Sequence, residues 1–309
     1  MSGKNVTQVV LADAAGIARA AQILESGGLV AVPTETVYGL AARADNAEAV
    51  ARIYAAKGRP DFNPLIVHVR DLAQAEDYAE FSGAARGLAA AHWPGPLTLV
   101  VPRRADAGLP EAVTAGLPTV ALRAPAHPVM RALLEAVSFP LAAPSANRSG
   151  FISPTMPQHV LASLDGRIAM VLDAGATPAG VESTIVAVRA DGSIDELRPG
   201  PLEIAPIGSS TPSGGGIEAP GQLASHDAPG KPVRLNADRG EADEFLIGFG
   251  AVGGDSTLSQ TGDLTEAAAR LYACLHEAAR APQPRIAVAP VPEHGLGRAI
   301  NDRLRRAAA

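Results

Sequence analysis

Among its 309 residues the chain has one cysteine, one tryptophan and only three lysines, Lys4, Lys57 and Lys231. The lone Cys274 excludes an internal disulfide and suits a reducing compartment. On its Ala/Leu-rich stretch it reads as a small core residue rather than a nucleophile. The sequence holds no Cys-x-x-Cys, no His-Glu-x-x-His, no Gly-x-x-x-x-Gly-Lys-Ser/Thr loop and no Gly-x-Ser-x-Gly elbow. Zinc ribbons, zincins, Walker sites and α/β-hydrolase chemistry are therefore not expected. The histidines are scattered without metal-ligand spacing, and no metal site is assigned. No apolar run approaches membrane-spanning length, and the first eight residues have no apolar signal core. These absences predict a cytoplasmic protein with no membrane association. A basic excess is also missing. The net charge is -6, so bulk nucleic-acid binding is not implied, although a local basic groove stays open.

What remains is an ordinary globular composition, 47% hydrophobic and 19% charged. The length suits two domains. Helices are predicted from Asp13 to Glu25, over 83–92, from Pro128 to Val137 and near 157–164. Strands are predicted at 97–101, 118–125 and 168–172, and Asp191-Gly192 closes a hairpin of 183–189 with 193–198. Trp93, beside two prolines, reads as a packing anchor. Residues 208–230 are rich in Gly, Ser and Pro without periodicity, as a linker is. Beyond them strands at 245–250 and 285–289 alternate with helices at 264–279 and 296–306, which implies a small parallel α/β domain. Gly295-Leu-Gly297 hints at a dinucleotide turn, but Ile300 stands at the third glycine position.

Residues 33–69 organise the rest. The apolar run Gly28–Val32 reads as a buried strand stopped by Pro33. A hydroxyl-rich loop (Thr34, Thr36, Tyr38) follows, then a helix opened by an Asp45/Glu48 capping box and ended by Gly58 and Pro60. A second strand runs from Leu65 to Val69. In a chain this biased toward arginine, a lysine kept at Lys57 beside Arg59 points to an anion with several oxygens. Arg123, alone in an apolar strand, needs an acidic partner or an anionic substrate if it faces inward. The loop of Ser145, Asn147, Ser149 and Ser153 suits either turns or a phosphate nest.

Pro33-Thr-Glu-Thr-Val-Tyr-Gly-Leu40, Lys57-Gly-Arg59-Pro60, Pro64-Leu-Ile-Val-His68, Pro144-Ser145-Ala-Asn147-Arg-Ser-Gly150, Ser183-Thr184-Ile-Val and Leu197-Arg198-Pro-Gly together resemble the YrdC/Sua5 family. The tail, Leu258-Ser-Gln-Thr-Gly262-Asp-Leu and Gly295-Leu-Gly-Arg-Ala-Ile-Asn301-Asp-Arg-Leu, looks like the extra domain of its long, Sua5-type members. The resemblance implies a YrdC-like domain at 1–207 with a twisted mixed α/β sheet, a linker at 208–235 and a Rossmann-like parallel α/β domain at 236–309. It implies an L-threonylcarbamoyladenylate synthase, making threonylcarbamoyl-AMP and pyrophosphate from L-threonine, bicarbonate and ATP with Mg2+. The product would feed the tRNA threonylcarbamoyl transferase machinery, with at most a weak contact to tRNA itself. By motif, threonine binding falls to Thr36, His68, Arg123, Ser145 and Ser183. ATP binding falls to Lys57, Arg59, Asn63, Thr119, Ala143, Asn147, Ser153 and Arg198, with Lys57 and Arg59 catalytic. The sequence departs from the family in the linker, where Ala224 and Asp227 replace two tyrosines, so an aromatic contact there is missing or remade by His226. Two alternatives stand beside this reading. One is a non-catalytic module for double-stranded RNA or tRNA, which the acidic balance disfavours. The other is a carbamoyl-transferring maturation protein, whose zinc fingers need cysteine pairs this chain lacks.

Overall fold

A computed structural model describes residues 6–208, 217–222 and 227–309. Its first part runs β1 (Gln8–Leu11), α1 (Ala14–Glu25), β2 (Val30–Pro33), β3 (Tyr38–Arg43), α2 (Ala47–Lys57), β4 (Ile66–His68), α3 (Leu72–Ala75), α4 (Gly83–His92) and β5 (Leu97–Pro102). It continues with α5 (Glu111–Thr114), β6 (Thr119–Arg123), α6 (Pro128–Ala136), β7 (Leu141–Ala142), α7 (Pro157–Leu164), β8 (Met170–Asp173), β9 (Thr184–Val188) and β10 (Ile194–Arg198). The second part runs β11 (Val233–Arg234), β12 (Glu244–Gly248), β13 (Ser256–Thr257), α8 (Leu264–Arg280), β14 (Arg285–Val288) and α9 (Leu296–Ala307).

The first ten strands form one mixed sheet in the order β1-β8-β2-β3-β7-β4-β6-β5-β9-β10. Apolar layers cover both faces, one around Leu40, Ile53, Val67 and Leu99, the other around Leu24, Val32, Leu133 and Leu141. Burial on both faces explains why β2 and β4 read as continuous apolar runs rather than alternating ones. It also hid β3. Tyr38-Gly-Leu-Ala-Ala-Arg has no period of two, so the hydroxyl-rich loop ends sooner than expected and the chain returns antiparallel to β2, with Tyr38 facing Pro33. The capping box at α2 is also displaced. Arg43 holds the Asp45 carboxylate at 2.7 and 2.9 Å, and Asn46 caps the helix instead, its Oδ1 accepting from Ala49 N at 2.9 Å. Trp93 is the expected anchor, edge-on to Phe81 and donating to Leu97 O at 2.8 Å.

The second sheet, β11-β14-β12-β13, is wholly parallel, as the strand-helix order implied. Its two-residue strands β11 and β13 carry too little pattern to be seen in sequence. Cys274 is a buried core residue on α8. The two sheets share apolar material, since Val37, Ile152 and Val181 are buried in the cluster of Ile247, Leu271 and Leu275. At this seam Gly180, with φ +69°, lies against α8. A Cβ there would stand 2.3 Å from Ala268 O and 2.4 Å from Ala269 Cα. The described stretch 217–222 is ordered against the large sheet, with Ala219 buried beside Ile66 and Ala121 and Glu218 paired to Arg189 at 2.5 Å. Ala224 and His226 lie outside the described residues.

Candidate active site

The C-terminus of α2 turns its cations inward. Gly58 takes the left-handed conformation and Arg59 N bonds back to Tyr54 O. Lys57 and Arg59 are 2% and 9% exposed, so neither faces bulk solvent. Lys57 Nζ donates to Ser145 O at 2.5 Å, Asn147 O at 2.6 Å and Asn147 Oδ1 at 3.3 Å. Burial, and next the Arg59 charge, hold the Lys57 ammonium well below lysine's usual range, while Asp227 opposes the shift. Arg59 rests on the Asn63 and Pro64 carbonyls at 3.1 and 2.8 Å, and burial lowers it to about 10.

Arg123, at the end of β6, meets the requirement read from its strand. Its Nη2 lies 2.8 Å from Glu35 Oε1, Nη1 donates to Thr36 Oγ1 at 3.0 Å and Nε to Gly95 O at 3.3 Å. Glu35 also accepts from the amides of Ala126 and His127. Burial pushes the Glu35 carboxyl up, but the Arg123 charge and these bonds prevail and bring it to about 2. His68 is paired across from Arg123 in the sheet. Burial and then Arg123's charge press it down to about 3, so the imidazole is neutral near pH 7. Its Nδ1 has no hydrogen-bond partner among the described residues. On the opposite wall Arg198 donates through Nε to Ser183 O and through Nη2 to Ser183 Oγ, each at 3.1 Å. Ser183 Oγ also meets Thr98 Oγ1 at 2.8 Å.

These groups line one cavity of about 50 Å³. It gathers Thr36, Arg59, His68, Arg123, Ala143, Ser145, Ser183 and Arg198, roofed by Pro220 and Gly221. Lys57 and Asn147 stand one layer behind, bracing the loop that carries Ser145. Asn63 adjoins Arg59, and its Oδ1 and the Ser153 Oγ lack partners among the described residues. Ser153 N donates to Asp227 Oδ1 at 3.0 Å. Thr119 does not line the cavity; it sits at the other end of β6 from Arg123, opposite Pro102. The cavity also contains Glu182, which was not singled out in the sequence although it immediately precedes Ser183 in an otherwise uncharged run, and Glu35 stands behind Arg123. Three guanidiniums against so few carboxylates make a local anion site in an acidic chain. Among the described residues no group of three or more His, Cys, Asp or Glu side chains is placed to hold a metal ion.

The profile of the Sua5/YciO/YrdC family, described as telomere recombination, matches residues 22–200. A second, described as threonylcarbamoyl-AMP synthase, C-terminal domain, matches residues 192–309. The chain belongs to the Sua5/YrdC family. Among its relatives, the threonylcarbamoyl-AMP synthase of Bacillus subtilis is 41% identical, over 94% of this chain and 92% of that one. The synthase of Pyrococcus abyssi is 38% identical over 93% and 92%. The crystal structure of P. abyssi Sua5 complexed with L-threonine superposes with a TM-score of 0.85 at 36% identity, covering 98% of this chain and 97% of that one. The match spans both sheets, so the family's long architecture is present here.

Proposed function

We propose that this chain is an L-threonylcarbamoyladenylate synthase, an ATP-using transferase that joins a carboxylated threonine to AMP. The observation that carries the reading is the cavity in which Arg59, Arg123 and Arg198 face hydroxyl-bearing walls, in a chain similar over 94% and 93% of its length to threonylcarbamoyl-AMP synthases. Threonine's amine takes up CO2 from bicarbonate as a carbamate, a carbamate oxygen attacks the α-phosphorus in line, and pyrophosphate leaves. No covalent enzyme intermediate is needed, so the chain's work is positioning and charge stabilisation.

Each side chain then has a task. Arg123 Nη1 keeps one N–H beyond its bond to Thr36, and Nη2 is ion-paired to Glu35 without an aligned hydrogen bond, so both terminal nitrogens can receive the threonine carboxylate. Neutral His68, with Ser145 and Ser183, lines the space for the amino acid's polar atoms. Arg59 and Arg198 take phosphate oxygens, with Asn63, Ala143, Asn147 and Ser153 around the nucleotide. Lys57 acts through the Ser145–Asn147 loop and adds its charge from behind. Thr119 is assigned to ATP by resemblance alone. Magnesium enters with ATP as part of the substrate, held mainly by phosphate oxygens and water, which suits a site poor in carboxylates.

Pro220 and Gly221 line the cavity, so the stretch that carries them is placed to shield the carbamate from water. The 208–235 linker is thus the lid of a catalytic domain ending near 207, with 236–309 as its partner domain. Because Lys57 and Arg59 are buried, a duplex RNA could not reach them, which disfavours the binding-module alternative. The labile adenylate requires a consumer close by, the machinery that modifies tRNA, and a cytoplasmic reaction would suit that need. Among the described residues no helix is long and apolar enough to cross a membrane. The test is pyrophosphate release with ATP, bicarbonate and each small amino acid in turn. Release confined to threonine is expected; release without any amino acid, or none at all, refutes the assignment.

A further inference from the structure

Two large polar side chains of the C-terminal unit are buried where it meets the cavity. Tyr272 of α8 is 0% exposed and Arg303 of α9 is 2% exposed. Both converge on Glu182. Tyr272 Oη lies 2.9 and 2.8 Å from the two Glu182 carboxylate oxygens, and Arg303 Nε donates to Glu182 Oε2 at 2.7 Å. Arg303 is itself oriented by Asp302, 2.7 Å from its Nη1. Tyr272 Oη also meets Asp227 Oδ2 at 2.9 Å, and Asp227 Oδ1 accepts from Ser153 N.

Two domains could be docked more cheaply by apolar groups of similar volume, because burying an ion pair costs desolvation that its attraction does not reliably offset. The apolar seam formed by Val37, Ile152 and Val181 already does this. The polar cluster therefore calls for another explanation, and its location provides one. Glu182 lines the cavity together with Arg198. Arg198 directs its fork to neutral oxygens, those of Ser183 and the more distant Pro220 O at 3.4 Å. Burial, and next the Arg303 charge, lower Arg198 to about 10, and the Glu182 carboxylate opposes that shift.

We propose that Tyr272 and Arg303 are positioning residues of the synthase site: they hold Glu182 at the cavity wall, and with it the carbonyl of the adjoining Ser183, which accepts from Arg198 Nε and sets the pose of Arg198 toward the nucleotide. The C-terminal unit thus completes the nucleotide half of a site whose threonine half, around Arg123, lies wholly in the large sheet. This rests on the synthase reading above.

The test separates the two substrates. Tyr272→Phe keeps the ring and removes the hydroxyl. It is expected to raise KM for ATP about tenfold, the effect of losing a hydrogen bond to a charged group, and to leave KM for threonine within about twofold. Glu182→Asp, which withdraws the carboxylate by one methylene and changes nothing on α8, gives the same split and decides the matter should Tyr272→Phe not fold. Arg298→Ala serves as the docking control: it removes only the half-exposed pair of Arg298 with Glu196, 2.6 Å apart, between α9 and β10, and both constants stay unchanged. The proposal is overturned if the cavity variants leave both constants unchanged, or if all three variants shift both constants alike, as loosened docking would. A wild-type chain without threonine-dependent pyrophosphate release overturns the synthase reading as well; normal wild-type turnover with no split overturns this inference alone.

Discussion

The cavity under Pro220 and the outer edge of the C-terminal sheet both gather arginines and treat them in opposite ways. Around the cavity, Arg59 and Arg198 are buried on carbonyl and hydroxyl oxygens. At the C-terminal edge, Arg285 and Arg234 are part-exposed and locked to Glu241, Asp243 and Glu244. A guanidinium resting on neutral acceptors keeps its charge uncancelled for a ligand, whereas one clamped by carboxylates in water has little left to offer. Buried polar atoms without partners among the described residues occur in both units, Gln283 Oε1 included, but near the cavity they cluster: Asn63 Oδ1, His68 Nδ1 and Ser153 Oγ. Buried polarity without partners marks where a substrate is expected; paired surface charge marks scaffold.

The largest test of this contrast is Lys57→Ala. It removes a buried cation and frees the Ser145–Asn147 loop, and turnover should fall at least about a hundredfold while circular dichroism stays native. Retained turnover would remove Lys57 from the machinery. Next comes Arg123→Ala, expected to raise KM for threonine about thirtyfold or more and to lower the melting temperature, because Glu35 is left buried without its partner. A threonine KM unchanged by this variant would place the amino-acid carboxylate elsewhere.

Acid should act through buried histidines before carboxylates. Burial lowers His68 and His159 to about 3 and His276 to about 4, against an ordinary value of 6.5. The unfolded chain therefore takes up protons first, and stability is full above pH 6.5 and declines below it down to the folded values. Glu35, lowered from 4.5 to about 2, adds a loss that begins only below 4.5. Thermal unfolding followed from pH 7 to 4 should show a falling midpoint, flattened in His159→Phe, which keeps a ring stacked on His276. A midpoint indifferent to pH over that range would contradict the burial of these rings. The smallest effect is expected from Arg285→Ala, with neither turnover nor melting temperature measurably changed; a loss of activity there would erase the division between the two arginine sets.

Much of this arrangement was legible in the chain. Arg123 stood out because a charge inside an apolar strand demands a partner, and Lys57 with Arg59 because a lysine kept beside a helix end in an arginine-biased chain points to an anion; that both side chains are buried was not legible. What escaped was set by contacts with no local signature. Glu182 gains its role from Tyr272 and Arg303, 90 and 121 residues away. Strand β3 was masked by burial on both faces, and the Asn46 cap by Arg43 capturing the neighbouring aspartate. Thr119 was assigned to ATP by resemblance and is not among the residues lining the cavity, standing at the other end of β6 from Arg123, so the motif alone speaks for it.

The flush contact at Gly180 constrains how this chain can vary. With only a hydrogen fitting between residue 180 and the α8 backbone, no side chain can be gained there unless the helix retreats, and a retreating helix takes Tyr272 with it. The seam must drift in concert or not at all. A chimera joining this large unit to a relative's tail with a differently seated helix would inherit two intact halves and a broken joint.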